Sequence, residues 1–197
     1  YRRLLREAQI AEQLQERILL ERVKSNAESE FGRDHRFSSI RNYNDFRSAV
    51  PIRDYEQFRP YMQRVMDGNE RALFGRRHRV LMFAMTSGST DRPKYIPITP
   101  QFVRDYRRGW NAFGGKAMLD YPEAFMRGIL QVTSPVDVER TSRGIPCGSI
   151  SGLLAREQSN IVRRFYVTPP EVAEIADAES RYYTIMRFAV PRDVGWM

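Results

Sequence analysis

Residues 86–94, with the sequence TSGSTDRPK, combine side chains that could hold a phosphate group. Four hydroxyl side chains stand among the first five positions, and hydroxyl donors together with main-chain N–H groups form anion-binding loops. Gly88 lets the main chain approach an anion closely because it has no Cβ. Lys94 adds a compact positive charge, which suits a phosphate. On residue types alone, such a segment is most often a simple turn, and phosphate binding is the functional hypothesis that these residues raise.

The spacing in this loop differs from the common P-loop. That pattern requires a glycine directly before the lysine and a serine or threonine directly after it, whereas here Pro93 precedes Lys94 and Tyr95 follows it. A lysine is nonetheless notable at this position. Of the 32 basic residues, 29 are arginines and only three are lysines, namely Lys24, Lys94 and Lys116.

Two short apolar segments flank the loop and predict the strands that position it. Val80–Met85 is a continuous apolar run, typical of a strand buried on both faces. Tyr95–Ile98 predicts a second strand directly after the loop, and Pro97 indicates an edge strand or a bulge. The loop is therefore expected to join two strands of a sheet.

A helix is expected after the second strand, because Thr99 suits an N-cap and Pro100 suits the first helical position. We expect it to continue to about Trp110, or past Gly114 to Leu119. The later elements predicted from periodicity and turn residues are a strand over Gly128–Thr133, a loop rich in Gly, Ser and Pro over residues 134–152, a helix starting at Thr168 and a helix over Ala178–Ala189.

The first part of the chain predicts mainly helices. Residues 1–29 have an apolar arc of about 140°, which favours one long helix docked on the protein's own core over a partner-binding or membrane-surface helix. Farther on we expect a loop over Phe31–Ser39, a short helix ending at Ala49, a helix over Tyr55–Arg59 capped by Asp54, and a separate helix from Pro60 to Met66.

The elements together predict an α/β fold. A mostly helical segment over residues 1–78 precedes an α/β segment over residues 79–197, which contributes part of a mixed β-sheet with flanking helices. We expect both to be parts of one incomplete domain.

The net charge of +8 does not indicate a nucleic-acid-binding protein. Residues 1–79 carry 17 basic and 12 acidic side chains, and residues 80–197 carry 15 and 12, so the excess is dispersed. No run of five or more basic residues occurs, and no aromatic platform accompanies the basic groups. A solvated surface is the favoured interpretation.

Other features exclude several classes of protein. The single cysteine, Cys147, excludes a disulfide framework and indicates a reducing compartment, so we expect a cytoplasmic protein. No apolar run approaches the ~18 residues of a membrane span, and no signal peptide is present at the first residues. His35 and His78 are too isolated to predict a metal site.

The loop resembles the signature T-S-G-[ST]-T-G-x-P-K of the adenylate-forming superfamily, which includes acyl-CoA synthetases and luciferases. Eight of the nine positions fit that pattern, and Asp91 replaces its second glycine. The flanking sequence is similar to the N-terminal portion of the auxin-responsive family of acyl-acid amido synthetases. The blocks that carry this resemblance are Phe37–Ile40, Val50–Tyr55, Arg64–Met66, Lys94–Thr99, Gly144–Pro146, Gly148–Gly152, Arg181–Tyr183 and Met186–Phe188.

The resemblance implies a ligase that uses ATP and Mg²⁺. A carboxylic acid would be activated as acyl-AMP, and an amino acid or another amine would then accept the acyl group. By matching positions, Lys94 would be the catalytic residue of the loop. The phosphate-binding residues implied are Thr86, Ser87, Gly88, Ser89, Thr90 and Lys94.

The acyl pocket is placed less directly, because the resemblance points only to the region after the loop. The candidates are Tyr106, Arg107, Phe113, Lys116, Ser149 and Ser151, each of which could equally be a core or surface residue. Members of the family are longer, so the missing C-terminal part of the same chain would complete the site, and we expect the fragment alone to be inactive. The alternatives are an acyl-CoA ligase of the same superfamily and a non-catalytic nucleotide-binding or scaffold protein; neither a nucleic acid nor a membrane is an expected partner.

Overall fold

The strands on both sides of the loop form an antiparallel pair at one side of a mixed sheet. A computed structural model describes residues 2–76, 78–86, 93–158 and 160–197. Its strands are β1 (Met82–Thr86), β2 (Lys94–Ile98), β3 (Gly128–Ile129), β4 (Glu139–Arg140), β5 (Pro146–Gly148) and β6 (Val194–Trp196). The main sheet has the order β2-β1-β5-β4, with β1 and β5 parallel and the other two pairings antiparallel. The predicted mixed α/β architecture is confirmed.

Strand β1 lies in the core, as its apolar run predicts. Met82, Phe83 and Ala84 are all buried. Phe83 packs in one cluster with Val65 and Cys147, whereas Met82 and Ala84 belong to a second cluster that contains residues of β2 and of the helix after it. Successive side chains of a strand point to opposite faces, so each face of β1 has its own core.

The helices surround this sheet. Their bounds are α1 (Arg2–Ala8), α2 (Ala11–Ser25), α3 (Glu30–Asp34), α4 (Tyr43–Ala49), α5 (Tyr55–Met66), α6 (Pro100–Asp120), α7 (Pro122–Phe125), α8 (Ile150–Arg156), α9 (Asn160–Arg163) and α10 (Ala178–Ala189). Short 3-10 turns cover Phe37–Ser39, Glu70–Ala72 and Pro170–Glu174.

The single long helix predicted over residues 1–29 is wrong. The chain tightens at Gln9 and Ile10, where two i→i+3 hydrogen bonds close a turn between α1 and α2. The predicted apolar arc does not meet the core over its whole length, because Leu4 and Ile18 remain 47% and 49% exposed. Docking uses the end of α2 instead, where Val23 is buried in an N-terminal cluster of aliphatic and aromatic side chains.

Two other N-terminal predictions require correction. The expected loop over Phe31–Ser39 contains α3 and a 3-10 turn, because the hydroxyl of Ser29 caps α3 by accepting from the N–H of Gly32 at 2.9 Å. The two helices expected on either side of Pro60 are one helix, α5. Asp54 and Gln57 form a capping box at its start, and the helix continues through Pro60 to Met66.

The strand predicted over Gly128–Thr133 is shorter in the structure and belongs to a second, two-stranded sheet. Strand β3 covers only Gly128–Ile129 of the strand expected over Gly128–Thr133, and it pairs in parallel with β6. The register of this pair is irregular between Gly128 and Ile129. The helix expected from Thr168 is a 3-10 turn over Pro170–Glu174, whereas α10 has the predicted bounds.

Two glycines allow the chain to cross itself next to the main sheet. A Cβ on Gly148 would lie 2.4 Å from the carbonyl oxygen of Val136, and one on Gly152 would lie 2.4 Å from that of Ser134. Both distances are too short for a side chain, so the 134–136 segment packs directly on the main chain around α8. In the described part of the chain, no helix is long and apolar enough to cross a membrane.

The N-terminal helices and the sheet share one core cluster, since Val65 of α5 packs with Phe83 of β1. A domain boundary near residue 79 stays a prediction.

Candidate functional site

The hairpin β1–β2 brings the two ends of the predicted phosphate loop together. Thr86 is the last residue of β1 and Lys94 is the first residue of β2, and the two are paired across the antiparallel register. Thr86 is exposed and Lys94 is half-buried. The positions between them that sequence analysis selected, Ser87, Gly88, Ser89 and Thr90, lie outside the described residues, as does Asp91.

Strand β2 is an edge strand, as Pro97 indicates. Its free side faces α5 rather than another strand. The Tyr55 hydroxyl, at the start of α5, donates to the carbonyl oxygen of Tyr95 at 3.1 Å and accepts from the N–H of Tyr95 at 2.8 Å. The ammonium nitrogen of Lys94 lies 5.7 Å from the centre of the Tyr55 ring. Tyr55 thus contacts Lys94 at the end of the loop. The sequence drew attention to Tyr55 only as part of one of the blocks that carry the family resemblance.

The side chain of Tyr95 ties β2 to the opposite edge of the sheet. Its hydroxyl donates to the Glu139 carboxylate of β4 at 2.6 Å. This hydrogen bond, aided by partial burial, raises the pKa of Tyr95 to about 12. The end of the sheet next to the loop is therefore held by side chains from both edges.

A cleft of about 860 Å³ opens along α6. Its lining is mainly apolar, with aliphatic side chains and five aromatic ones, namely Tyr106 and Trp110 from α6, Phe125 from α7, Tyr166, and Trp196 from β6. Such a volume and lining suit a small ligand with an apolar or aromatic body.

The aromatic side chains of α6 form a continuous row. Phe102, Tyr106, Trp110 and Phe113 recur at helical spacing, with successive ring centres 6.0, 6.3 and 5.6 Å apart. The row ends on Trp196, whose ring centre is 5.7 Å from that of Phe113. The i, i+4 and i, i+3 spacing of these residues indicates that they share one face of the helix, but it does not reveal which residues line the other side of the cleft.

The cleft also contains charged and polar groups. Arg107 donates to the carbonyl oxygen of Glu157 at 2.8 Å and to its carboxylate at 3.3 Å, and both residues line the cleft. Gln131 and Gln158 contribute amide groups, and the Gln158 side chain donates to the Tyr166 hydroxyl at 2.7 Å. A ligand here would meet a cation and several hydrogen-bonding groups beside an apolar wall.

The predicted acyl-pocket residues occupy different positions relative to this cleft. Tyr106, Arg107 and Ser151 line it, and Phe113 packs against its lining through Trp110 and Trp196.

The other two candidates stand outside the lining. Lys116 forms an ion pair with Asp120 on the surface of α6. Ser149 caps α8, and its hydroxyl lies 2.8 Å from that of Ser151. Trp110, Phe125, Tyr166 and Trp196 are lining residues that sequence analysis did not select.

The side chains of Cys147 and His35 are both buried in the protein. Cys147 is 1% exposed, and burial raises the pKa of its thiol, which disfavours the nucleophilic thiolate. His35 stacks on Phe31 in the core, with ring centres 4.0 Å apart. Among the residues that the structure describes, no three His, Cys, Asp or Glu side chains lie together as metal ligands could.

Comparisons with known proteins agree on one family. A family model described as the GH3 family N-terminal domain matches residues 1–197. A solved structure titled GH3.15 acyl acid amido synthetase superposes with a TM-score of 0.71 and 21% identity, covering 90% of this chain and 31% of that one.

A second structure, titled AtGH3.15 acyl acid amido synthetase in complex with 2,4-DB, gives a TM-score of 0.62 and 18% identity, covering 78% of this chain and 26% of that one. At these identities the likeness concerns the fold, and this chain spans about a third of the length of the first structure. No curated protein sequence matches the chain.

Proposed function

Because this chain belongs to the GH3 family, we propose that it forms part of an ATP-dependent acyl-acid amido synthetase. In the proposed reaction, a carboxylate oxygen attacks the α-phosphorus of ATP, forming acyl-AMP and releasing pyrophosphate. The nitrogen of an amino acid or another amine then attacks the acyl carbon, forming the amide and releasing AMP. This chain would supply the phosphate-binding hairpin and a wall of the acid site.

One observation carries the proposal. The β1–β2 hairpin pairs Thr86 with Lys94 at the two ends of a hydroxyl-rich loop, so a cation and a hydroxyl stand at the loop's base. Phosphoryl chemistry depends on positioning and on stabilising the charge of the phosphate oxygens. Lys94 would neutralise charge on the departing pyrophosphate, while the hydroxyls of Thr86, Ser87, Ser89 and Thr90 would donate to its oxygens.

The cleft along α6 supports an apolar or aromatic acid as the first substrate. Its aromatic wall would bind the body of the acid, and Arg107 would attract the carboxylate. The contact between Arg107 and Glu157 is largely exposed, so an incoming carboxylate could compete for the guanidinium at a small cost.

Mg²⁺ fits the proposal as a partner of the phosphates. In this proposal the cation would be held mainly by phosphate oxygens and water, as Mg²⁺ usually is at substrate phosphates. When bound, Mg²⁺ would neutralise charge on those oxygens. A cytoplasmic location is part of the same proposal, and the free state of the single cysteine, Cys147, supports it.

The test uses the intact natural protein that contains this chain. Pyrophosphate release is measured with ATP, Mg²⁺ and a panel of aromatic and aliphatic carboxylic acids, with either amino acids or coenzyme A as acceptor. We expect acid-dependent pyrophosphate release and an amide product. A thioester product would instead identify an acyl-CoA ligase. No acid-dependent release with any acceptor would contradict both activities and leave a nucleotide-binding or scaffold protein.

A further inference from the structure

The free edge of β2 is held by a side chain instead of by another strand. Both main-chain groups of Tyr95 bond to the hydroxyl of Tyr55, at 3.1 Å from the carbonyl oxygen and 2.8 Å from the nitrogen. A tyrosine hydroxyl has one hydrogen to donate and lone pairs to accept. One phenol oxygen therefore satisfies the two groups that an edge strand leaves exposed at this position.

This contact sets the orientation of the neighbouring residue. Successive residues of a strand turn their N–H and C=O groups to opposite sides. Because Tyr95 turns its groups outward to Tyr55, Lys94 turns its own toward β1, where its partner in the register is Thr86. The Tyr55 hydroxyl thus helps to close the base of the hairpin.

The Tyr55 ring contacts the side chain of Lys94 as well. The Lys94 ammonium nitrogen lies 5.7 Å from the ring centre, within the range of a cation–π interaction. Arg59, one turn later in α5, lies 5.1 Å from the same ring centre and is hydrogen-bonded to Glu56. Tyr55 therefore restrains the main chain of Tyr95, next to Lys94, and the charged end of Lys94 itself.

We propose that Tyr55 is a positioning residue for Lys94, acting on ATP through the lysine without contacting the nucleotide. This inference rests on the proposed function. It assigns to α5, whose first residue lies 40 positions before Tyr95 in the chain, the task of fixing the cation of the proposed phosphate loop. Loss of the hydroxyl would leave the charge of Lys94 intact but its position less defined.

The matched variants are Tyr55→Phe and Tyr61→Phe in the intact protein. Tyr61 is on the same helix, its hydroxyl donates to Asp34 at 2.6 Å, and its ring centre lies 4.7 Å from the guanidinium carbon of Arg64. Both variants remove one hydrogen-bonded phenol oxygen beside an arginine, but of the two hydroxyls only that of Tyr55 is hydrogen-bonded to β2. A purely structural loss should therefore affect both variants alike.

The first readout separates the two substrates. Tyr55→Phe is expected to raise KM for ATP about five- to tenfold, the size of effect that one or two lost hydrogen bonds produce, while KM for the acid stays within about twofold. Tyr61→Phe is expected to leave both constants unchanged. The same KM for ATP in Tyr55→Phe and in the unmodified protein would overturn the proposal. Equal increases in KM for ATP and in KM for the acid would also overturn it.

The second readout does not require activity. Acetylation of lysines by acetic anhydride is followed by mass spectrometry, with exposed Lys24 as the internal reference. The Lys94-to-Lys24 rate ratio is expected to rise about threefold in Tyr55→Phe, as the loss of a weak restraint would produce, and to stay constant in Tyr61→Phe. An unchanged ratio in Tyr55→Phe would show that the hydroxyl does not restrain Lys94, whether or not the protein forms acyl-AMP.

Discussion

Lys94 is the residue on which the proposed chemistry depends most. It is half-buried, paired with Thr86 in the register, and in contact with the Tyr55 ring. Lys94→Ala in the intact protein is expected to lower kcat/KM for pyrophosphate release about a hundredfold, as the loss of one preorganised donor to a transition state does. Steady-state kinetics with varied ATP would measure this loss.

Lys24→Ala is the matched control for that substitution. Lys24 is exposed near the end of α2, and its removal is expected to change kcat/KM by less than about twofold. Similar losses in both variants would contradict a specific role for Lys94. Lys94→Arg should also remain impaired, because a planar guanidinium does not replace a compact ammonium.

At the scale of elements, helix α6 would carry the recognition face of the cleft in the proposed function. Trp110 is 52% exposed and lines the cleft, whereas Phe102, in the same aromatic row, is not part of its lining. Trp110→Ala is expected to raise KM for an aromatic acid about tenfold through lost stacking and burial, with KM for ATP unchanged. Initial-rate measurements with varied acid would test this.

Phe102→Ala is the control for the recognition face, since it shortens the same row outside the cleft. It is expected to leave KM for the acid within about twofold. If Phe102→Ala raised KM for the acid as much as Trp110→Ala does, both effects would be due to a less stable α6 and not to lost contacts in the cleft.

The link between Tyr95 of β2 and Glu139 of β4 predicts a pH-dependent contribution to stability. The hydrogen bond raises the pKa of Tyr95 to about 12, above the value of about 10 in an unfolded chain. Between these values the folded state retains a proton that the unfolded state has lost, so this contribution is complete below about pH 10 and disappears as the pH rises through about 12.

Tyr95→Phe should therefore make the melting temperature fall less steeply as the pH rises through the alkaline range. Differential scanning fluorimetry between about pH 9 and 12 would measure it, and the ultraviolet difference spectrum would follow the phenol directly. Glu139→Gln is expected to move the phenol titration to lower pH by removing the carboxylate. A Tyr95 titration near pH 10 in the unmodified protein would contradict the strand-to-strand link.

Whether an element could be predicted from the sequence depends on whether it is fixed by neighbouring residues or by contacts with distant ones. Asn42, Thr99 and Asp177 cap their helices through side-chain oxygens that accept from N–H groups three residues later, which is local information. The turn at Gln9–Ile10 depends on which part of α2 meets the core. Helix α5 continues through Pro60 because the capping box at its start outweighs the helix break that a proline locally favours.

The candidate site shows the same distinction. The proposed phosphate loop is one continuous segment of the sequence, so the strands that flank it could be predicted from the sequence. The cleft is assembled from α6, α7, β3, α8 and β6, and the distances between these elements are set by tertiary packing. For this reason Tyr106 and Arg107 could be selected by their place after the loop, whereas Phe125 and Trp196 could not.

At the scale of the whole molecule, the net charge of +8 is dispersed along the chain, and several of its basic side chains form ion pairs with carboxylates. Glu28 pairs with Arg76 at 2.9 Å and Arg71 at 3.6 Å, and Arg64 pairs with Glu30 at 3.1 Å. These contacts are mostly exposed, and each adds little stability. They place carboxylates among the arginines, so the described surface does not form a continuous basic track.

This distribution predicts weak, unspecific binding to nucleic acids. The logarithm of the association constant, plotted against the logarithm of salt concentration, should have a slope shallower than about −2, since only one or two phosphates would be neutralised together. Fluorescence anisotropy with labelled DNA and RNA would measure it. Arg163→Ser with Arg164→Ser should weaken the residual binding no more than Arg107→Ser with Arg108→Ser, because neither pair forms a dedicated site. A slope of about −6, lost on changing one of these pairs alone, would instead identify a localised nucleic-acid surface and contradict the assignment of the charge to solvated protein surface.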